Sequence, residues 1–528
     1  MGFLVTFMAV IGLVICLPFL LDHRTFLASN LHDALFIADI GYRFSTGQVP
    51  HVAFYSPLGV GFAAIMALGT LTADTVLGAL RNASLLFGLG LIPVLLYVCR
   101  TRLAPVGSAV LIAVCLVVAV VPHNLGDPPT APGYHSNYNR MAYVLFLLVI
   151  VITMARPARS IHAVIDRYLL SALTVLLLYL KLNYGVFALA FVFAAAALDC
   201  DARLAISAFG MLAVAALALE LLLGAGFHAA YLSDLVILVK AASPFTLRRA
   251  VRVALGSQKE AALLLIALWA AGAPGRWPDW RILLLGGLAL TLGFLLLVQN
   301  TVQAWGLVIG LGPALALLGR PAAQGARTWS ARAGPVVLVL LGLLYVGPPV
   351  VSEAVEIMRV RAVGAAIPPG IPALADLVVV PTLGFLLPEA GPPLEPEALR
   401  LLQVRFSNGQ PPIDAYVTTL RSGLDLLSGC PADAGIVTLD FTDAFAMLRR
   451  SPARGGAAWL HYGLDFTALS HPAPERLFGG VACVMVPELP VYMPTFEGIM
   501  ATYGPFLAAQ YAPHARNRFW TLYLRIEQ

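Results

Sequence analysis

A carboxylate set beside apolar chain, with basic neighbours, has the makings of a general base. The stretch LHDALFIADIGYRFSTGQVPHVAFYSPLG, residues 31–59, supplies Asp33 and Asp39 together with His32, Arg43 and His51. On a helix, six residues turn through roughly 240°, so Asp33 and Asp39 face different ways. His32 and Asp39, seven apart, share a face. Asp33 lies just after the first apolar segment and ahead of an apolar cover, which suits a base acting on a hydroxyl acceptor. His32 and Asp39 are candidate substrate contacts; the alternative is that such residues are solvated at headgroup level.

A second polar cluster lies in PHNLGDPPTAPGYHSNYNR, residues 122–140, which holds His123, Asp127, His135, Asn137, Asn139 and Arg140. Asp127 and His135 could orient a substrate, or an acid here could help hold a divalent metal through oxygen ligands. The ligand spacing names no metal. Arg140 offers a planar fork for a phosphate, with snorkelling to the headgroups as the other reading. Lys181, in LYLKLNYGVF, is one of three lysines in the chain and has Asn183 and Tyr184 beside it. A cation at the end of an apolar hairpin suits a lipid-linked phosphate.

Other polar residues are weaker candidates. Glu220 sits inside the apolar run LAVAALALELLLGAG, and Gln299, Asn300 and Gln303 gather near another helix end. The latter could bind sugar hydroxyls or cap helices. Lys240, Arg248, Arg249, Arg252 and Lys259 lie in or next to the loop 225–258, whose YLSDLVILVKAASPF stretch reads as interfacial.

The elements that position these residues follow from composition. The chain has 528 residues, 59% hydrophobic and 12% charged, with a mean hydropathy of +0.85. Repeated apolar runs of about 17–22 residues are long enough to cross a bilayer. They fall near 3–21, 77–99, 103–122, 141–155, 168–182, 184–199, 204–224, 259–273, 282–299, 302–319 and 334–351. The N-terminal run lacks a basic lead and a small-residue cleavage site, so it reads as a retained helix. Residues 56–73 are apolar but broken by Pro and Gly. If they do not cross, and the N-terminus is cytoplasmic, the short cytoplasmic loops carry eleven arginines, from Arg100 to Arg332, as the positive-inside rule expects. The segment is therefore read as re-entrant or interfacial. The outer loops are then 22–76, 122–140, 181–185 and 225–258.

The 33 basic residues include 30 arginines, and Ala, Gly and Leu abound, which suggests a GC-rich bacterial genome. The arginines are scattered, and no nucleic-acid groove is expected. From about residue 352 the apolar runs shorten and Pro increases. PIDAYVTTLRSGLDLLSG and TFEGIMATYGPFLAAQY have helical character; AGIVTLDF, GVACVMVPE and RFWTLYLRIEQ read as strands. The expected fold is a polytopic α-helical membrane protein of about 11 transmembrane helices, residues 1–351. A small extracytoplasmic α/β domain follows at 352–528. That tail has no GxGxxG, P-loop, GxSxG or HExxH motif. If it faces an oxidising compartment, Cys430 and Cys483 could form a disulfide, though the sequence alone does not give their separation.

The layout resembles the GT-C superfamily of membrane glycosyltransferases. HDALFIADIGYRFSTGQVPHVAFYSPLG is similar to the first outer loop of bacterial members related to the family 39 and 87 groups, and YNRMAYVLF and LKLNYGVF are similar to other segments of them. The resemblance covers the membrane half and, weakly, the tail. It implies inverting transfer of a hexosyl or pentosyl group from a polyprenyl-phosphate donor to a glycan, lipid or protein acceptor. The reaction would take place at the outer face of the bacterial inner membrane. By that resemblance Asp33 takes the base position, Asp127 is the second-loop acid, and Lys181 or Arg140 binds the phosphate. Many relatives have two adjacent acids where this chain has His32-Asp33, and an acid where Ala53 stands. The rival readings are a transporter or flippase for lipid-linked sugars, which predicts midplane ionisable residues and internal repeats, and a non-enzymatic assembly component.

Overall fold

The computed structural model describes residues 2–124, 127–155, 157, 161–242, 246–271, 280–299, 308–318, 329–362, 370–380, 406 and 411–526. The chain opens with α1 (Gly2–Leu21), then α2 (Leu31–Ser45), α3 (Val60–Thr70), α4 (Val76–Arg102), α5 (Pro105–Val120) and α6 (Asn137–Met154). It continues through α7 (Ile161–Leu180), α8 (Leu182–Leu198), α9 (Ala202–Leu223), α10 (Phe227–Ala241), α11 (Leu247–Gly256) and α12 (Gln258–Ala271). The helices α13 (Trp280–Gln299), α14 (Leu311–Leu318) and α15 (Trp329–Ala362) complete the first part. Among the described residues, six helices are long and apolar enough to cross a membrane: α4, α6, α7, α9, α13 and α15. The protein is a polytopic helical membrane protein.

The hydrophobic pattern sorts these helices by place. In α6, 94% of the apolar window is enclosed by protein, so this helix is the bundle's axis. In α9 only 6% is enclosed, which leaves Ile206, Val214, Leu217 and Leu221 facing outward, as lipid contact requires. The helix α3 has 11 residues. At about 1.5 Å per residue it reaches about 16 Å, well short of a core of about 30 Å. It lies against α2, α4 and α7 instead. Gly59, just before it, has no room for a Cβ, which would run into the Tyr179 carbonyl oxygen of α7. The helix α15 runs on past residue 351 to Ala362, so the fall in hydropathy near 352 marks polar chain on the same helix.

Ion pairs identify the two ends of the bundle. Arg102–Asp166 (2.6 Å), Arg167–Asp201 (3.0 Å) and Arg281–Asp199 (2.5 Å) tie helix ends together at one face. At the other face sit α2, α3, α10 and the C-terminal unit. That unit contains β2 (Leu377–Val378), which pairs in parallel with β1 (Thr25–Phe26) of the first loop. The main sheet has strand order β3-β4-β6-β5, with β3 (Gly435–Thr438), β4 (Val481–Pro487), β5 (Tyr511–Arg516) and β6 (Trp520–Arg525). β3 and β4 are parallel, and the remaining neighbours are antiparallel. Helices α16 (Ile413–Leu426), α17 (Phe445–Arg449), α18 (Pro474–Leu477) and α19 (Met493–Gln510) complete this α/β unit. Cys430 and Cys483 are disulfide-bonded. The strand β5, YAPHAR, is additional to the expected elements.

Candidate active site

The first component is α2. Its N-terminus is fixed by Asn30, a non-glycine residue in the left-handed region (φ 60°), and by the Thr442 hydroxyl, which donates to the His32 carbonyl at 3.0 Å. His32 is buried, edge-on to Phe441 at 5.2 Å and to Tyr416 at 6.3 Å. Burial pulls its imidazole pKa down. Asp33 is half-exposed, 3.8 Å from the His32 ring. Its charge acts on Tyr138, Tyr416 and His461, so residues from three distant parts of the chain surround one carboxylate.

Nearly two helical turns further on, Asp39 is turned away from Asp33, as their spacing requires. It is wholly buried and accepts a hydrogen bond from Arg43 Nε at 2.5 Å. The same guanidinium donates to Asp443 Oδ2 (2.8 Å), Gln48 Oε1 (3.0 Å) and the Gly455 carbonyl (2.6 Å). Gly456 holds φ at +78°, and a Cβ there would lie 3.0 Å from Arg43 Nη2. Burial pushes the Asp39 carboxyl up to about 7 and raises Asp443 as well, against the pull of Arg43 on both. Arg43 thus fastens the Asp33 helix to the C-terminal unit.

The second loop meets the first at its histidines. His135 Nε2 lies 2.5 Å from Asp127 Oδ2. Burial alone would raise the Asp127 carboxyl, but hydrogen bonds from His135 and Asn124 outweigh it and hold the group below the usual range. His123 is buried beside them and held near 4, chiefly by desolvation and then by Arg140. His135 also acts electrostatically on His32, so Asp127 and His135 adjoin the Asp33 side. Arg140 is turned into the bundle, where its fork donates to the Val121 carbonyl and to Asn137 Oδ1 (3.0 Å). Among the described residues, no three His, Cys, Asp or Glu side chains are grouped to hold a metal ion.

The third component is the α7–α8 turn. Lys181 donates to Asn139 Oδ1 and sits over the rings of Tyr138 (4.7 Å) and Tyr184 (5.4 Å). Desolvation pushes its amine down to about 7. Asn183 is next to it and donates to Gln299 Oε1 at 3.1 Å. Asn300 and Gln303 lie outside the described residues. Glu220 pairs with His228 at 2.6 Å and receives backbone N–H groups at the start of α10, a cap that closes the α9–α10 turn.

The C-terminal unit covers this assembly. Trp459 stacks on Tyr138 (6.1 Å between rings, 17° apart) and lies 4.4 Å from Phe36. His461 adjoins Phe441 (5.4 Å) and Tyr492 (5.5 Å), and burial holds its pKa near 4. Asp33, Tyr138, Lys181, Trp459, His461 and Tyr492 each keep partial exposure among buried neighbours. A carboxylate, a desolvated amine and aromatic faces are therefore brought to one end of the bundle.

Two crystal structures overlap the fold along nearly its whole length. They are ArnT from Cupriavidus metallidurans bound to undecaprenyl phosphate, with a TM-score of 0.48, and the same protein in the apo state, at 0.45. In each case the identity is 13%, and the overlap covers 99% of this chain and 98% of that one. No residue role follows from overlap of that depth. No family model matches the chain, and neither does any curated protein.

The sequence singled out neither Trp459 nor His461, and it marked Tyr138 only as part of a motif. A signal was present: AWLHYG places an indole and an imidazole two residues apart in a short polar segment between strands. Nothing local says over which part of the bundle that segment folds. The structure brings Asp33, His32, Asp127, His135, Asn139 and Lys181 to one end of the bundle. It sets Asp39 and Arg140 in internal hydrogen bonds.

Proposed function

We propose that this protein is a GT-C-type glycosyltransferase. It would move a hexosyl or pentosyl group from a polyprenyl-phosphate donor to a glycan, lipid or protein acceptor at the outer face of the bacterial inner membrane. The observation that carries the reading is that Tyr138 touches Lys181 on one side and Trp459 on another, with Asp33 acting on the same residue. This supports a phosphate subsite beside Lys181 and an acceptor subsite beneath Trp459 and His461. The Cys430–Cys483 bond supports an oxidising compartment for the C-terminal unit, and the N-terminus of α1 then lies in the cytoplasm.

In this mechanism Asp33 takes the proton of the acceptor hydroxyl as its oxygen attacks the anomeric carbon. The bond from that carbon to the phosphate oxygen breaks on the opposite side, so configuration inverts. The electron pair leaves with the polyprenyl phosphate, whose charge Lys181 neutralises. Arg140 Nη1 and Nη2 donate to Val121 and Asn137, so Lys181 is the first cation assigned to the phosphate, with Arg140, whose Nε has no hydrogen-bond partner, as the alternative.

Lipid mass spectrometry on gently purified protein tests the reading. Wild type should carry a polyprenyl-phosphate sugar, Asp33→Asn should retain it, and Lys181→Ala should lose it. Folded wild-type protein that carries no such lipid, even after incubation with candidate donors, would overturn the assignment.

A further inference from the structure

The short helix α11 has a division of surface that the transfer reaction does not use. Thr246 caps it, accepting from the Arg249 N–H at 3.3 Å. At about 100° per residue, its side chains fall on three arcs. Leu247, Val251 and Leu255, with Ala250 and Ala254 beside them, form an apolar arc. They are exposed to 75%, 48% and 63%, while Val253, on the arc turned to the protein, is 3% exposed. Arg248, Arg252 and Arg249 fill the third arc, all solvent-accessible.

Charge along the exposed sequence that flanks the helix has one sign. Between Asp234 and Glu260 the sequence contains no acid, and Glu260 is buried. Lys240 and Lys259, both exposed, flank the helix in sequence. The preceding helix α10 is tied to the C-terminal unit by Asp234–Arg476 (2.5 Å) and by Ser470 donating to the Ile237 carbonyl (3.3 Å). α11 therefore comes just after a helix held at the face that carries that unit. A helix with an exposed apolar arc adjoining an arginine arc lies in the plane of a bilayer interface. Its apolar side sinks below the headgroups while its cations stay among them.

We infer that α11 is a binding site for anionic phospholipid headgroups, with Arg248, Arg249 and Arg252 as the phosphate contacts and Leu247, Val251 and Leu255 as the anchor. The occupant is lipid because the two arcs together match an interface, and a soluble anion would leave the apolar arc in water. The site is independent of the proposed transfer reaction. It also accounts for cations on a face where the positive-inside rule expects few.

The test uses the full-length protein in vesicles of phosphatidylcholine alone or mixed with phosphatidylglycerol, reading hydrogen exchange of the 247–256 peptide. Phosphatidylglycerol should slow exchange there at least about tenfold, since each basic residue near an anionic surface contributes roughly fivefold. The triple variant Arg248→Gln, Arg249→Gln, Arg252→Gln should lose that protection, and the corresponding triple Lys variant should keep it. Should the Gln variant fold poorly, Arg252→Gln alone should lose part of it. Equal exchange in the two vesicle types would overturn the proposal, as would protection that survives the Gln variant. Protection in phosphatidylcholine that rises with protein density would also overturn it, pointing to a second copy of the chain.

Discussion

Arg43 Nη2 and Asp443 meet at 2.8 Å across 400 positions of sequence, with Asp39 accepting from Nε of the same guanidinium. One buried cation between two buried carboxylates is the joint between the helix that carries Asp33 and the unit that carries Trp459 and His461.

Removing that cation leaves two carboxylates in a dry setting. Arg43→Met should destabilise the fold by about 3–5 kcal/mol, the usual loss when one partner of a buried pair is deleted. Asp39→Asn and Asp443→Asn added to it should recover a large part. Thermal unfolding, with limited proteolysis following release of the C-terminal unit, measures both. A single variant of wild-type stability would mean that the joint is held by apolar packing alone.

The disulfide closes a segment of 53 residues in sequence separation. In the chain-entropy view a loop of that size contributes about 4 kcal/mol. Cys430→Ser with Cys483→Ser should lower the unfolding temperature of the C-terminal unit, and a reductant should lower wild type to the same value. A reductant that leaves the transition unmoved would show that the thiols are unpaired in the mature protein.

What could be read from the sequence follows from how local each signal is. Charged residues in an apolar chain stand out without any partner, so Asp33, Asp127 and Lys181 are visible in the bare sequence. Helices are visible for the same reason, and Cys430 and Cys483 are visible as candidates for pairing, but their bond depends on a separation that only the fold supplies. The end of α15 was hidden because hydropathy marks where a helix leaves lipid, and Ser352–Ala362 stays helical beyond that point. Strand β5 was hidden because YAPHAR has little β propensity. Among the described residues it forms an edge strand paired with β6, where Pro513 is tolerated. Trp459, His461 and the Arg43–Asp443 joint depend on contacts hundreds of residues apart, which no local pattern encodes.

The Lys181 amine gives a pH-dependent prediction. Its pKa lies at about 7 in the empty site, against about 10.4 for a free lysine. Below pH 7 the amine is already an ammonium, so Lys181 takes up no proton when a phosphate ligand binds. Between about pH 7 and 10 the empty site is neutral, and a bound phosphate dianion stabilises the ammonium, so binding takes up a proton. Affinity should therefore weaken as pH rises above 7. Calorimetry of polyprenyl phosphate binding in buffers of different ionisation heat should show close to one proton taken up near pH 8 and little near pH 6. Lys181→Arg should abolish the uptake, because arginine stays charged throughout. Uptake unchanged in that variant would move the titrating group elsewhere.

Trp459 and Asp33 should separate binding from chemistry. Trp459 stacks on Tyr138 at 6.1 Å and adjoins Phe36 at 4.4 Å, so Trp459→Ala removes an aromatic face from the acceptor side. An aromatic contact of this kind is worth about 0.5–1.5 kcal/mol beyond area burial. The acceptor KM should accordingly rise by up to roughly tenfold while kcat holds, and Trp459→Phe should restore most of the loss. Asp33→Asn removes only the proton acceptor. It should lower kcat by about 10²–10⁴-fold with acceptor KM and donor retention little changed. If Trp459→Ala instead lowers kcat alone, the indole positions Asp33 through Tyr138. If Asp33→Asn leaves kcat intact, the base lies elsewhere, and His461, the other half-exposed proton acceptor under the same roof, becomes the residue to replace.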